Sequence, residues 1–255
     1  MKKTITLLFL ICSTFLFSQT ASYYNIDGTS RKAIIYEPAI KSGKTPVVFV
    51  FHGHGGNANF VSRRINIQDY YKDAIVIFME GLPGRSVPGI DPNGTMNGWQ
   101  IFTDDLEGRD IKFFDRVFSE IHKNHQIDDS RIYLIGHSNG ARFVNVLWKE
   151  RGSQITAICS ASAQGGNLIS GAVPVSVWMY MGKNDKIVSF ESQEKSVPIV
   201  KSNLGITADG KTENDKTSFI GKNNSELILQ QSNAGHEFPK QSLPEIVEFF
   251  KRHSK

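Results

Sequence analysis

Two kinds of apolar pattern alternate along this chain. Short continuous runs come first: Val47-Val-Phe-Val-Phe51, Ala74-Ile-Val-Ile-Phe-Met79, Ile132-Tyr-Leu-Ile135, Ile155 to Ala161, Val175-Ser-Val-Trp-Met-Tyr-Met181 and Glu226-Leu-Ile-Leu-Gln-Gln231. Such runs suit strands covered on both faces. Between them, apolar residues recur at helical spacing: Ile111, Phe114, Val117, Phe118 and Ile121 share one face of a helix over Asp110 to Ile121, and Ala141, Val144 and Trp148 share one face of another. Asn59 to Tyr71 is weakly helical, Ser189 to Leu204 is a helix interrupted at Pro198, and Leu243 to Arg252 is a closing helix. An early strand is expected at Arg31 to Tyr36, ended by Pro38. Lys41 to Pro46, Gly81 to Gly98 and Asp209 to Asn224 read as loops. Strands alternating with helices predict an α/β fold, a mostly parallel central sheet with helices on both faces. Right-handed crossovers place the strand ends on one edge, so the loops beginning at His52, Ser138, Asp185 and His236 converge there.

Composition narrows the setting. With 255 residues, 40% of them hydrophobic and 21% charged, the chain suits a single catalytic domain over residues 19–255. Residues 1–18 carry Lys2 and Lys3, then an apolar run from Ile5 to Phe17, and predict a signal peptide cleaved near Ser18. The run is short for a membrane span, so a secreted or periplasmic protein without stable membrane association is expected. Losing Lys2 and Lys3 lowers the formal net charge of +4, which leaves no nucleic-acid footprint. Cleavage also removes Cys12, leaving Cys159 in an apolar run as a packing residue and no internal disulfide.

The chemistry centres on Gly136-His137-Ser138-Asn139-Gly140, set between a strand and a helix. Gly-x-Ser-x-Gly in that context is the nucleophile elbow of the α/β-hydrolase fold, a turn that lifts the serine hydroxyl clear of the sheet. Serine is a weak nucleophile and needs a base, which in turn needs an orienting acid; this fold supplies them in the order serine, acid, histidine. After Ser138 only His236 and His253 remain, and His236 follows the last strand. Asp185 ends a strand at the same rim more directly than Glu191, Asp209, Glu213 or Glu237. The expected catalytic set is therefore Ser138, Asp185 and His236. The backbone N–H groups of Asn139 and of His54, with Gly55 next, are the expected oxyanion donors, since the glycines of His52-Gly-His-Gly-Gly56 permit close backbone approach. The same loop admits a dinucleotide fingerprint, Gly53-x-Gly55-x-x-Ala58 with Asp73 downstream, and His52-x-His54 could open a metal site. The first leaves the elbow unexplained and the second lacks nearby ligands; no cofactor and no metal are expected.

The combination of Pro46 to Gly56, Asn97-Gly-Trp99, Asp128 to Gly140, Gly182-Lys-Asn-Asp185 and Gly235-His-Glu-Phe-Pro239 resembles the small secreted esterases of the feruloyl esterase and poly(3-hydroxybutyrate) depolymerase type, in carbohydrate esterase family one. The resemblance spans nearly the whole chain after residue 18. It implies a serine esterase with Ser138, Asp185 and His236 as triad, acting on an ester substrate linked to plant polysaccharide through feruloyl or acetyl groups. Phe238 stands where such proteins often have tryptophan, and the cysteines many of them carry near the active-site loops are absent. Trp99 is either a wall of the acyl or sugar pocket or a packing residue; with His137 and Phe238 it completes the expected substrate-binding set. A polyester depolymerase, an acyltransferase and a non-catalytic binding protein on the same fold remain alternatives.

Overall fold

The computed structural model describes residues 19–40, 43–87 and 89–255; the segment read as a signal peptide lies outside them. Ten strands form one sheet. In chain order they are β1 (Gln19–Ile26), β2 (Thr29–Tyr36), β3 (Thr45–Phe51), β4 (Ile75–Met79), then, after a separate two-residue ribbon of β5 (Leu82–Pro83) and β6 (Asn97–Gly98), β7 (Ile127–His137), β8 (Ala157–Ala161), β9 (Ser176–Gly182), β10 (Lys211–Glu213), β11 (Lys216–Ile220) and β12 (Glu226–Ser232). Their spatial order is β1-β2-β4-β3-β7-β8-β9-β12-β11-β10. The six strands from β4 to β12 pair in parallel, and antiparallel hairpins extend the sheet at both edges.

Strand alternation divides the core into two layers. Val47, Phe49 and Phe51 face one side with Ile132, Leu134, Val177, Met179 and Met181. There they meet α2 (Arg109–Asn124), α3 (Asn139–Arg151) and α5 (Val197–Leu204) through residues such as Phe114, Phe143 and Leu204. Val48, Val50, Tyr133, Ile135, Trp178 and Tyr180 face the other side, against α1 (Ala58–Arg64) and α6 (Leu243–Lys251). Because both faces are covered, the central strands are buried over most of their length, which is why their sequences read as apolar runs.

Several expectations need correction. β1 was not foreseen as a separate strand: Gln19 to Ala21 are exposed, and only Tyr24 and Ile26 turn inward. It joins β2 through Asp27-Gly28, both at positive φ (49° and 83°), the hairpin turn that an Asp-Gly pair favours. The 209–224 segment is not a plain loop, since β10 and β11 form a hairpin turning at Asn214. β10 is the edge strand and β11 lies between it and β12; the polar residues of both hide the alternation, and Phe219 alone among them is buried. Pro198 opens α5 at its first turn instead of interrupting a longer helix, and the preceding α4 (Phe190–Glu194) is separate. The Asn59 to Tyr71 helix ends at Arg64 and gives way to a short 3-10 turn over Ile67–Asp69. Among the described residues, no helix is long and apolar enough to cross a membrane.

One buried ion pair ties the edge hairpin to the rim loops. Arg31, 1% exposed, donates to the Asp110 carboxylate at 2.7 Å, to the carbonyl of Glu80 and to that of Arg109, and lies 4.3 Å over the Phe113 ring. Asp110 in turn accepts the Gln100 N–H at 2.8 Å. Removing Arg31 leaves the buried Asp110 carboxylate with only the more distant Arg109, 3.7 Å away, as counter-charge among the described residues. Arg31→Met is expected to lower unfolding free energy by about 3–5 kcal/mol, read by urea denaturation.

Candidate active site

Ser138 sits between β7 and α3 with φ 56° and ψ −122°, a strained conformation for a residue with a side chain. The flanking glycines make the turn possible. A methyl group on Gly136 would meet the backbone of Gly140 and Ala141 at 2.5 Å, and one on Gly140 would strike the carbonyls of Phe51 and His52. The Ser138 hydroxyl lies 2.7 Å from His236 Nε2. His236 Nδ1 lies 2.8 Å from Asp185 Oδ2, and the Asp185 side chain is fully buried. The structure thus brings together the three residues proposed from chain order.

Each partner is held by its own surroundings. Asp185 Oδ1 accepts the N–H groups of Ile187 and Val188 at 2.8 and 2.9 Å, while Oδ2 also accepts from Gln193 Nε2 at 3.2 Å. Gln193, fully buried on α4, was not picked out from sequence; only its place eight residues beyond the acid could have suggested it. The loop carrying His236 packs on Gly182, where a Cβ would strike the Gly235 carbonyl. Ser162, itself at φ 55°, donates to the Glu237 carbonyl at 3.0 Å and pins the loop from the other side.

Asn139 is buried, and its side chain clamps Trp99: Oδ1 accepts the Trp99 N–H at 2.7 Å and Nδ2 donates to the Trp99 carbonyl at 3.0 Å. Trp99 Nε1 donates to the His52 carbonyl at 2.9 Å, and its ring stacks on Phe143. Trp99 is therefore fully buried and does not line the cleft, which corrects the expectation of a pocket wall. Phe238 is likewise buried, edge-on to His137, and does not line it either. His137 does border the cleft, with its ring 5.1 Å from that of His236. The cleft, about 480 Å3, is walled by residues 53–57, His137, Ser138 and His236 and by Phe60, Ile90, Met96 and Ile187, each of the last four between 45% and 61% exposed. These apolar lip residues lie in three separate segments, and no local pattern marks them. A larger cavity of about 740 Å3 opens at the opposite ends of the strands; there Arg252 is paired with Glu226, and Lys255 donates to main-chain carbonyls.

Two imidazoles at the site are locked neutral. His52 lies at 2.7 Å from the Gly53 carbonyl through Nδ1 and accepts the Gly81 N–H at Nε2, at 2.9 Å, so neither nitrogen is open to a metal. Burial pushes its pKa down to about 4, with the Gly53 hydrogen bond opposing. Burial, then repulsion from His236, pushes His137 down to about 3. Unfolded, both would titrate near pH 6.5, so below that pH the unfolded chain binds more protons than the folded one. Their contribution to stability is complete above about pH 6.5 and is lost as pH falls toward 4 and 3. Between about pH 6.5 and 4.5 each should cost about 2–3 kcal/mol, and urea midpoints should show a shallower pH dependence in His137→Leu.

No protein-family model matches the chain. It is 26% identical over 186 residues to a probable feruloyl esterase C from Aspergillus clavatus, covering 69% of this chain and 64% of that protein. It is 20% identical over 213 residues to a bifunctional acetylxylan esterase/xylanase from Neocallimastix patriciarum, covering 81% of this chain and 29% of that protein. The chain thus spans less than two thirds of the length of either relative. Among solved structures, the acetyl xylan esterase from Aspergillus awamori superposes with a TM-score of 0.69 at 14% identity, over 92% of this chain and 99% of that one. The Bacillus cereus carboxylesterase does so with a TM-score of 0.60 at 19% identity, over 87% and 94%. The chain has the α/β-hydrolase fold and is similar in sequence to feruloyl and acetyl xylan esterases.

Proposed function

We propose that this protein is an exported serine esterase, secreted or periplasmic, that hydrolyses carboxylic esters through an acyl-enzyme on Ser138. The observation that carries this reading is the relay from the Ser138 hydroxyl through His236 to buried Asp185, set at a strained elbow. His236 Nε2 accepts the hydroxyl proton as Ser138 attacks the ester carbonyl, and Asp185 stabilises the imidazolium that forms. The Asn139 N–H, in the first turn of α3, has no partner within its helix and is free to hold the oxyanion. The second donor is the His54 N–H, because that of Gly55 is committed to the Asn97 carbonyl at 2.7 Å. His236 then returns its proton to the departing alcohol, and water releases the acid.

The cleft supports an uncharged acyl group. Among the described residues no Asp, Glu, Lys or Arg lines it, and its lip is formed by Phe60, Ile90, Met96 and Ile187. An aromatic acyl group such as feruloyl, attached to plant polysaccharide, uses that lip, whereas acetyl is too small to reach across it. A second reading, polyester depolymerase, draws on the exposure of the same four residues, which suits docking on an apolar polymer.

Wild-type protein should be labelled by a fluorophosphonate, and Ser138→Ala should abolish both labelling and ester hydrolysis. Persistent labelling in that variant moves the nucleophile elsewhere. Asp185→Asn should lower kcat by about 10⁴-fold with the fold retained. On a panel of methyl ferulate, acetylated xylan, short nitrophenyl esters and hydroxybutyrate oligomers, Ile187→Ser should reduce kcat/KM about tenfold for methyl ferulate and little for acetyl esters. Preference for the oligomers would favour the polyester reading.

A further inference from the structure

His54 carries more than the backbone N–H assigned to the oxyanion. Its imidazole is 91% buried between two polar side chains of the 84–98 loop: Nδ1 lies 3.5 Å from the Ser86 hydroxyl, and Nε2 lies 3.6 Å from Asp91 Oδ2. Nε2 is fully enclosed and has no hydrogen-bond partner among the described residues. Ser86 is 1% exposed and does not line the cleft, so its hydroxyl is closed to substrate and these three cannot form a second nucleophilic centre. The other Asp91 bonds go to the cleft lip. Oδ1 accepts from the Thr95 N–H and hydroxyl at 3.1 and 3.3 Å, and Oδ2 accepts the Met96 N–H at 2.8 Å. That Met96 bond, above all, holds the Asp91 carboxyl below the usual carboxylate range, so it stands ionised opposite the imidazole.

The same loop is stitched to the oxyanion strip at further points. Asn97 accepts the Gly55 N–H and donates to the Gly56 carbonyl at 3.2 Å. The Met96 methyl packs on Gly55, where an added Cβ would collide with it. At Gly98 a Cβ would meet the Ser86 hydroxyl, His54 Nδ1 and Asn139 Oδ1, so both proposed oxyanion residues abut one point of the loop.

Resting on the esterase reading, we propose that Asp91 and the His54 imidazole form a positioning pair for the oxyanion hole. With Ser86 donating to Nδ1, the Nε2–H faces the Asp91 carboxylate across a gap a few tenths of an ångström beyond a hydrogen bond. Contacts of this kind are long without substrate and tighten in the reacting complex. Closure fixes the His54 backbone N–H at the developing oxyanion and draws the Met96 lip with it. The site so coupled takes an ester whose acyl group touches the lip while its carbonyl oxygen enters the hole.

The test compares His54→Ala, His54→Gln and Asp91→Ala with wild type on a short nitrophenyl ester, which does not reach the lip. All His54 variants keep the backbone N–H. His54→Ala and Asp91→Ala should each lower kcat by about 10- to 100-fold with KM changed less than about threefold. The double variant should be no worse than either single one, and His54→Gln, whose amide can still donate to Asp91, should recover most of the loss. Additive losses, a rise in KM at constant kcat, or full activity in His54→Ala would overturn the pairing. Amide hydrogen exchange over residues 53–57 reads the same link without turnover. Faster exchange in both single variants supports it, and unchanged exchange defeats it, even if wild type hydrolyses no ester and the esterase reading itself has failed.

Discussion

Helix α3 approaches the end of β3 so closely that at Gly140 a methyl group would strike the carbonyl oxygens of Phe51 and His52. The rest of the rim depends on this contact. It brings the elbow against the strip that follows β3, and the His52 carbonyl involved also accepts the Trp99 indole N–H. Trp99 is clamped along its backbone by Asn139, the residue next to Ser138. A single cluster of main-chain approaches therefore sets the distance between the serine hydroxyl and the His52 to Asn57 strip. Ser138 holds its positive φ in this same turn, with its hydroxyl 2.7 Å from His236 Nε2.

How much of this was legible beforehand depended on whether the cause was local. Buried parallel strands announce themselves because both faces are apolar, and the elbow because glycine is required on either side of Ser138. Asp185 and His236 could be placed from chain order, since each lies just past the end of one of two neighbouring parallel strands. The edge hairpins were harder: β11 is placed by pairing with β12, a neighbour that only the folded sheet supplies, β10 follows it through their hairpin, and their side chains are largely solvated. Asp27-Gly28 is a readable turn signal for the β1–β2 hairpin.

Trp99 shows the limit of reading function from residue type. An aromatic in a long loop near a nucleophile looks like a substrate contact, yet its ring stacks on Phe143 and meets Phe51 edge-on inside the core. Its contribution to the site is the position of its backbone. The apolar side chains at the lip of the cleft are Phe60, Ile90, Met96 and Ile187, which are ordinary surface residues in sequence and become a wall only when three segments meet. Gln193 and Ser162 are similar cases, polar residues whose partners lie on other elements.

Under the esterase reading, catalytic power resides in pre-set geometry: a buried carboxylate with its lone pairs occupied, an imidazole held between it and the serine, and backbone N–H groups fixed by loop packing. Rapid quenching of the protein with a nitrophenyl ester, followed by intact-mass and peptide mapping, addresses this most directly. The account predicts a transient acyl adduct on Ser138 that accumulates before steady-state release of the acid. Turnover without any adduct, or an adduct mapped to another residue, would contradict it.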